Sequence, residues 1–270
     1  MNFRKYIYAV SLIAAGMSLS ACSNVDEDER FIEIEPEVAA RRVLIEDFTG
    51  QNCINCPAAT AVIEQIQEAY GAENIIAVGI HSGPFGVNHD GSPTPLYTDT
   101  GDYYYKKWGV RGQPTGMIDR HGLVNNPQYW MGIVKNVIGI ASPLKLEGEC
   151  SYDATTRKAS ITVNAEAIYD INGIVQVWLV EDGIVSYQMM GDGKTNDNYI
   201  HNHVFRAAVN DKDGEPITMA FSEKKDLTYE AQIDGSWKAE NMSVVAFIAN
   251  DDEGVLQTVK IPVIKKAEAQ

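Results

Sequence analysis

Glu46-Asp47-Phe48-Thr49-Gly50-Gln51-Asn52-Cys53-Ile54-Asn55-Cys56-Pro57 sits where a short apolar strand hands over to an amphipathic helix. Upstream, Val43-Leu44-Ile45 and Phe48 read as the strand. Downstream, Ala59, Val62, Ile63, Ile66, Ala69 and Tyr70 follow helical spacing, with Glu64, Gln65, Gln67 and Glu68 on the other face. Pro57 suits the first turn, whose N–H groups have no intrahelical partner. Gly71 closes the helix. Ile75 to Ile80 is continuously apolar, as in a parallel strand covered on both sides. A thiolate attacks a disulfide far better than a thiol, and a helix N-terminus favours the anion. Cys53 falls at the expected helix start and is expected to be an exposed nucleophile, with Cys56 the more buried resolving thiol. Cysteines at this spacing on a first turn can close a disulfide with little backbone movement.

Some sixty residues on comes Val110-Arg111-Gly112-Gln113-Pro114-Thr115. A strand–Cys-x-x-Cys–helix unit followed by such a Gly-x-Pro-Thr turn resembles the thioredoxin fold. The resemblance implies that Asp47 lies under the cysteines and accepts a proton, although Glu46 is its neighbour and only one of the two can point that way. A strand-end carboxylate facing water is the alternative. The resemblance also implies a cis peptide before Pro114, with Gln113, Pro114 and Thr115 binding an extended peptide by strand addition; a trans proline in an ordinary turn is the alternative. Asn52 stands where thioredoxins have tryptophan, and Ile54-Asn55 replaces Gly-Pro, which leaves the direction of electron flow open. As a zinc half-site, Cys53 and Cys56 would need two further ligands to make four, which Cys150 and histidines 81, 89, 121, 201 and 203 could supply. Cys150 lies on the apolar face of a strand pattern and reads as a core thiol; His81, just after the Ile75–Ile80 strand, could border the cysteines, and a loop histidine without a role is the simpler reading. No metal and no cofactor are expected.

The stretch Ser82 to Thr100 holds Gly83-Pro84, Asp90-Gly91, Pro93 and Pro95 and reads as a long loop. Tyr103 to Trp108 reads as a short aromatic helix, and Asn126-Pro127 opens another. From Leu144 the pattern turns to period two: Leu144, Leu146, Gly148, Cys150 and Tyr152 alternate with polar residues. Further strands are expected at 174–181, 204–209, 227–233, 242–250 and 255–261. Turn signals such as Asp182-Gly183, Asp213-Gly214 and Glu253-Gly254 separate them. The expected fold is thus α/β plus all-β: a thioredoxin-like domain over 41–141, then an antiparallel, Ig-like β-sandwich over 142–266.

Arg4 and Lys5 precede an apolar run to Leu19, a secretory signal over 1–21. Leu19-Ser20-Ala21-Cys22 resembles a bacterial lipobox, so Cys22 is expected to be lipidated. Residues 22–40 follow as a tether with Asp26-Glu27-Asp28-Glu29. Net charge is −15, and losing the signal removes two cations more. Such a surface disfavours nucleic acid. Beyond thioredoxin, Glu46-Asp47-Phe48-Thr49-Gly50 with Cys53-Ile54-Asn55-Cys56-Pro57 resembles the opening of a family of outer-membrane lipoproteins, relatives of the twenty-eight-kilodalton outer membrane protein. Val177-Trp178-Leu179-Val180-Glu181-Asp182 and Tyr199-Ile200-His201-Asn202-His203-Val204-Phe205-Arg206 agree in style. The expected place is the outer membrane, on its periplasmic or outer face. The expected function is a lipid-anchored thiol–disulfide oxidoreductase acting on peptide or protein thiols and disulfides, with an unidentified redox partner. The alternative is a non-catalytic binding lipoprotein or adhesin with a structural disulfide.

Overall fold

The computed structural model describes residues 39–265; the signal segment, Cys22 and all but the end of the tether lie outside the described residues. The chain is β-rich. Its strands are β1 (Val43–Thr49), β2 (Ile75–His81), β3 (Thr115–Ile118), β4 (Leu123–Val124), β5 (Leu144–Asp153), β6 (Lys158–Ala167) and β7 (Ile171–Glu181), followed by β8 (Ile184–Met189), β9 (Thr195–His201), β10 (Val204–Ala208), β11 (Glu215–Met219), β12 (Lys224–Gln232), β13 (Met242–Asn250) and β14 (Gly254–Pro262). The α-helices among the described residues are α1 (Cys56–Tyr70), α2 (Asp99–Lys107) and α3 (Trp130–Val137). Among the described residues none is long and apolar enough to cross a membrane.

One nine-stranded sheet runs through the molecule in the order β14-β13-β7-β10-β2-β1-β3-β4, with β11 also paired to β7. β1 lies parallel to β2 and antiparallel to β3. The joint between the earlier and later strands is narrow: β10 meets β2 at Val204 and Gly79. There the Gly79 N–H donates to the His203 carbonyl at 2.7 Å. Strands from before and after Ser142 therefore share one sheet. β5, β6 and β12 form a second sheet. It buries Leu146, Ile161 and Val163 against Val177, Val244 and Ile261, giving the sandwich its core. β8 and β9 pair only with each other.

Period-two alternation in β1 assigns its two faces. Val43 and Ile45 pack with Ala59, Ile63 and Ile66 of α1 and with Trp130 and Val134 of α3. Leu44 and Phe48 point the other way, into a cluster with Tyr104 of α2 that also holds Trp178, Phe205 and Phe247. That second cluster joins residues from both sides of Ser142. Glu46 shares its face and pairs with Arg120 at 3.1 Å. The Arg120 guanidinium also donates to Gln176 at 2.6 Å and lies over the Phe247 ring at 4.7 Å. Arg120, between β3 and β4, thus links β1 to β7 through a buried ion pair with Glu46 and a hydrogen bond to Gln176.

Candidate functional site: a covered disulfide turn

Cys53 and Cys56 are joined by a disulfide, with Cα atoms 5.4 Å apart. The helix opens at Cys56, not at Cys53, which lies in the preceding turn. The expectation of an exposed Cys53 is corrected: it is 1% exposed and Cys56 is 2% exposed. Solvent reaches only the dipeptide between them, with Ile54 45% exposed.

Two segments cover the sulfurs. The first is the 82–100 loop. Asn52 donates from its backbone to the Phe85 carbonyl at 3.1 Å and from its side chain to the Val87 carbonyl at 2.8 Å. Gly50 permits this approach, because a Cβ there would overlap the Phe85 carbonyl. The second is the β8–β9 hairpin. The Met189 N–H donates to the Gln51 carbonyl at 2.8 Å. The Gln188 amide donates to the Cys53 carbonyl at 2.9 Å and to the Gly50 carbonyl at 3.3 Å. Gln51, fully buried, holds loop and hairpin together. It accepts from the Leu96 N–H at 3.0 Å and donates to Ser186 Oγ at 2.9 Å and the Tyr187 carbonyl at 2.8 Å.

Behind Cys56 lies a partly open cavity of about 120 Å³, lined by Asp47, Pro57, His81, Tyr199 and His201 among others. Asp47 lies on the α1 side of β1, the side of the cysteines, and Glu46 on the other, as alternation requires. Asp47 is 3% exposed, its Oδ1 has no hydrogen-bond partner, and burial raises its pKa to about 7. His81 ends β2 rather than lying in a loop, and faces His201 with ring centroids 5.3 Å apart. Burial holds both imidazoles neutral: His201 falls to about 4, and His81 goes well below its ordinary value, helped by His201 and Arg206. Among the described residues no group of three or more His, Cys, Asp or Glu could hold a metal ion. Cys150 is half-buried against the sandwich core.

The Gln113–Pro114 peptide is cis. Gln113 donates through its side chain to the Thr49 and Ser82 carbonyls, tying the ends of β1 and β2 together. Thr115 is buried and donates to the Gly112 carbonyl at 2.8 Å. Pro114 lines a shallow cleft with Asn55, Ala58, Val62 and Gln128. The dipeptide side of the cysteine turn borders this cleft, whereas neither sulfur lines it. The sequence reading missed Gln51 and Gln188, the residues that fasten the cover.

Residues 101–267 match the model of the family Outer membrane protein Omp28, and the chain belongs to that family. It is an outer membrane protein. HBP35 of Porphyromonas gingivalis shares its fold, with a TM-score of 0.68 at 14% identity over 87% of this chain and 81% of that one. A domain of the outer membrane lipoprotein Omp28 from the same organism is 25% identical over 47% of this chain and 92% of its own, with a TM-score of 0.34. Spo0M of Bacillus subtilis, 10% identical, covers 48% of this chain and 51% of its own at a TM-score of 0.32. No curated protein sequence matches the chain.

Proposed function

We propose that this chain is a lipoprotein anchored through Cys22 whose first part, 41–141, is a thioredoxin-like unit serving as a scaffold, with a structural disulfide, for binding at the envelope. One observation carries this reading: both sulfurs are buried under a hairpin that hydrogen-bonds the Cys53 carbonyl itself. A disulfide exchanges only when a thiolate reaches one sulfur in line with the bond, so access sets the rate. The Cys53–Cys56 bond then pins the turn from which Gln51 and Asn52 reach the two covering segments.

A second reading is favoured by Asp47. An unpartnered carboxyl with a pKa of about 7 beside Cys56 suits a proton acceptor for a resolving thiol. In that reading the hairpin moves aside, and the Cys53 thiolate of the reduced pair attacks a substrate disulfide bound along Gln113, Pro114 and Thr115, releasing one substrate thiolate and leaving the other substrate sulfur bonded to Cys53. Cys56, giving its proton to Asp47, attacks the Cys53 sulfur and displaces the second substrate thiolate, and the pair is left oxidised, to be reduced again by an unidentified partner. Insulin reduction with dithiothreitol, together with trapping by Cys56→Ser in cells, separates the two. The scaffold reading expects no acceleration of insulin precipitation and no mixed disulfide on Cys53. Turnover, or a trapped peptide or protein, would overturn it.

A further inference from the structure

Three exposed apolar side chains come together at the end of the molecule where the tether arrives. Ile140 precedes β5 and is 54% exposed; Tyr169 lies between β6 and β7 and is 57% exposed; Phe221, between β11 and β12, is 70% exposed. Distant in sequence, their loops are bonded to one another. The Tyr169 N–H donates to the Pro143 carbonyl at 3.1 Å, and the Ser222 N–H donates to the Ala167 carbonyl at 2.9 Å. The Phe221 N–H donates to Asp170 Oδ1 at 2.7 Å. A cleft of about 320 Å³ runs between Ile140 and Tyr169. The incoming chain joins the same end: the Ser142 N–H donates to the Ala39 carbonyl at 3.0 Å, and Arg41 Nε donates to the Ile140 carbonyl at 3.2 Å.

We infer that this end lies against the lipid surface, with Ile140, Tyr169 and Phe221 inserted into the interfacial layer. The inference rests on the Cys22 anchor proposed above. Sixteen residues separate Cys22 from Ala39, so even at full extension that link reaches no farther than about 60 Å. That is short enough to keep this end near the bilayer and to supply a high effective concentration. Three side chains too weak to hold a free protein on a membrane then suffice to orient a tethered one. Tyrosine favours the headgroup layer, where its ring is dry and its hydroxyl wet, and phenylalanine and isoleucine supply the inserting apolar surface. Carboxylates border the patch. Asp170 accepts from Phe221, while Glu223 accepts from the Ala220 N–H at 2.8 Å and pairs with Lys225 at 3.3 Å. Lys224 beside them pairs with Glu166 at 3.3 Å, so the border is largely charge-paired and fits zwitterionic lipid, while the chain's net charge of −15 is repelled by anionic lipid.

The test uses the full lipidated chain in vesicles of phosphatidylcholine and phosphatidylethanolamine. A fluorophore is placed at Phe221→Cys, Tyr169→Cys or, as a control, Val185→Cys on the β8–β9 hairpin, each in a Cys150→Ser background. Flotation reports the anchor, and acrylamide quenching reports docking. The expected result is flotation with quenching reduced several-fold at 221 and 169 and unchanged at 185, the protection weakening as phosphatidylglycerol is added. Flotation with equal quenching at all three positions overturns the docking and leaves the anchor standing. Protection that rises with protein concentration in the absence of vesicles assigns the patch to a second copy and also overturns it. Failure to float overturns the anchor, and the docking with it.

Discussion

Asp47 carries an electrostatic liability at the site. Its pKa rises from the ordinary 3.8 to about 7 through burial. Between those values the folded protein holds a proton that the unfolded chain releases, so its contribution to stability is fully present below pH 3.8 and is lost as pH rises through 7. Each pKa unit corresponds to about 1.4 kcal/mol, so the cost above pH 7 is a few kcal/mol at most. Asp47→Asn is therefore expected to stabilise the chain at pH 8 and to change little at pH 4, as read by urea unfolding at both. An equal effect at the two pH values would mean that the carboxyl is solvated or paired. Asp119 is also raised to about 7 by burial and remains in the variant, so the pH dependence is reduced, not abolished. The resemblance to thioredoxins points to Asp47, and strand alternation allows only one of Glu46 and Asp47 to face the cysteines. Choosing between them needed the position of Arg120, far along the chain, which takes Glu46.

The β8–β9 hairpin decides what the disulfide can do, and it was hard to read. β8 alternates weakly, and β9 begins Thr195-Asn196-Asp197-Asn198, four exposed polar residues with no apolar period. Its role comes from side-chain amides, which carry no periodic signal. By contrast β7, β10, β12, β13 and β14 fall within a few residues of the expected strands, because alternation or continuous apolar runs mark strands buried on one or two faces. Gln188→Ala removes the donor from the Cys53 and Gly50 carbonyls and leaves them buried, at a cost of ~1–3 kcal/mol. The variant is expected to melt at lower temperature and to be reduced by dithiothreitol several-fold faster than the parent, measured by alkylation and mass. An unchanged reduction rate would show that the hairpin does not guard the sulfurs.

The sequence pattern divides the chain near Ser142, yet the nine-stranded sheet and the cluster of Phe48, Tyr104, Trp178 and Phe247 run across that point. The contact of β10 with β2 is set by a register between residues far apart, Val204 and Gly79, which no local period encodes. Arg120, held between Glu46 and Gln176, adds a buried lock across the same region. Arg120→Ala leaves Glu46 buried without its partner, a loss of ~3–5 kcal/mol. Calorimetry of the parent is expected to give one transition, shifted down as one in the variant; two resolved transitions would mean that the two parts unfold independently. Such cooperativity bears on the covered disulfide, since one of its two covering segments, the β8–β9 hairpin, belongs to the later part of the chain and the sulfurs to the earlier. The most direct test is the rate at which a phosphine reductant opens Cys53–Cys56 as urea is added below the unfolding midpoint. Slow reduction that accelerates with urea in step with unfolding is the expected result. Fast reduction in the absence of urea, insensitive to added urea, would mean that the sulfurs are open to solvent in the native protein and would contradict the scaffold account.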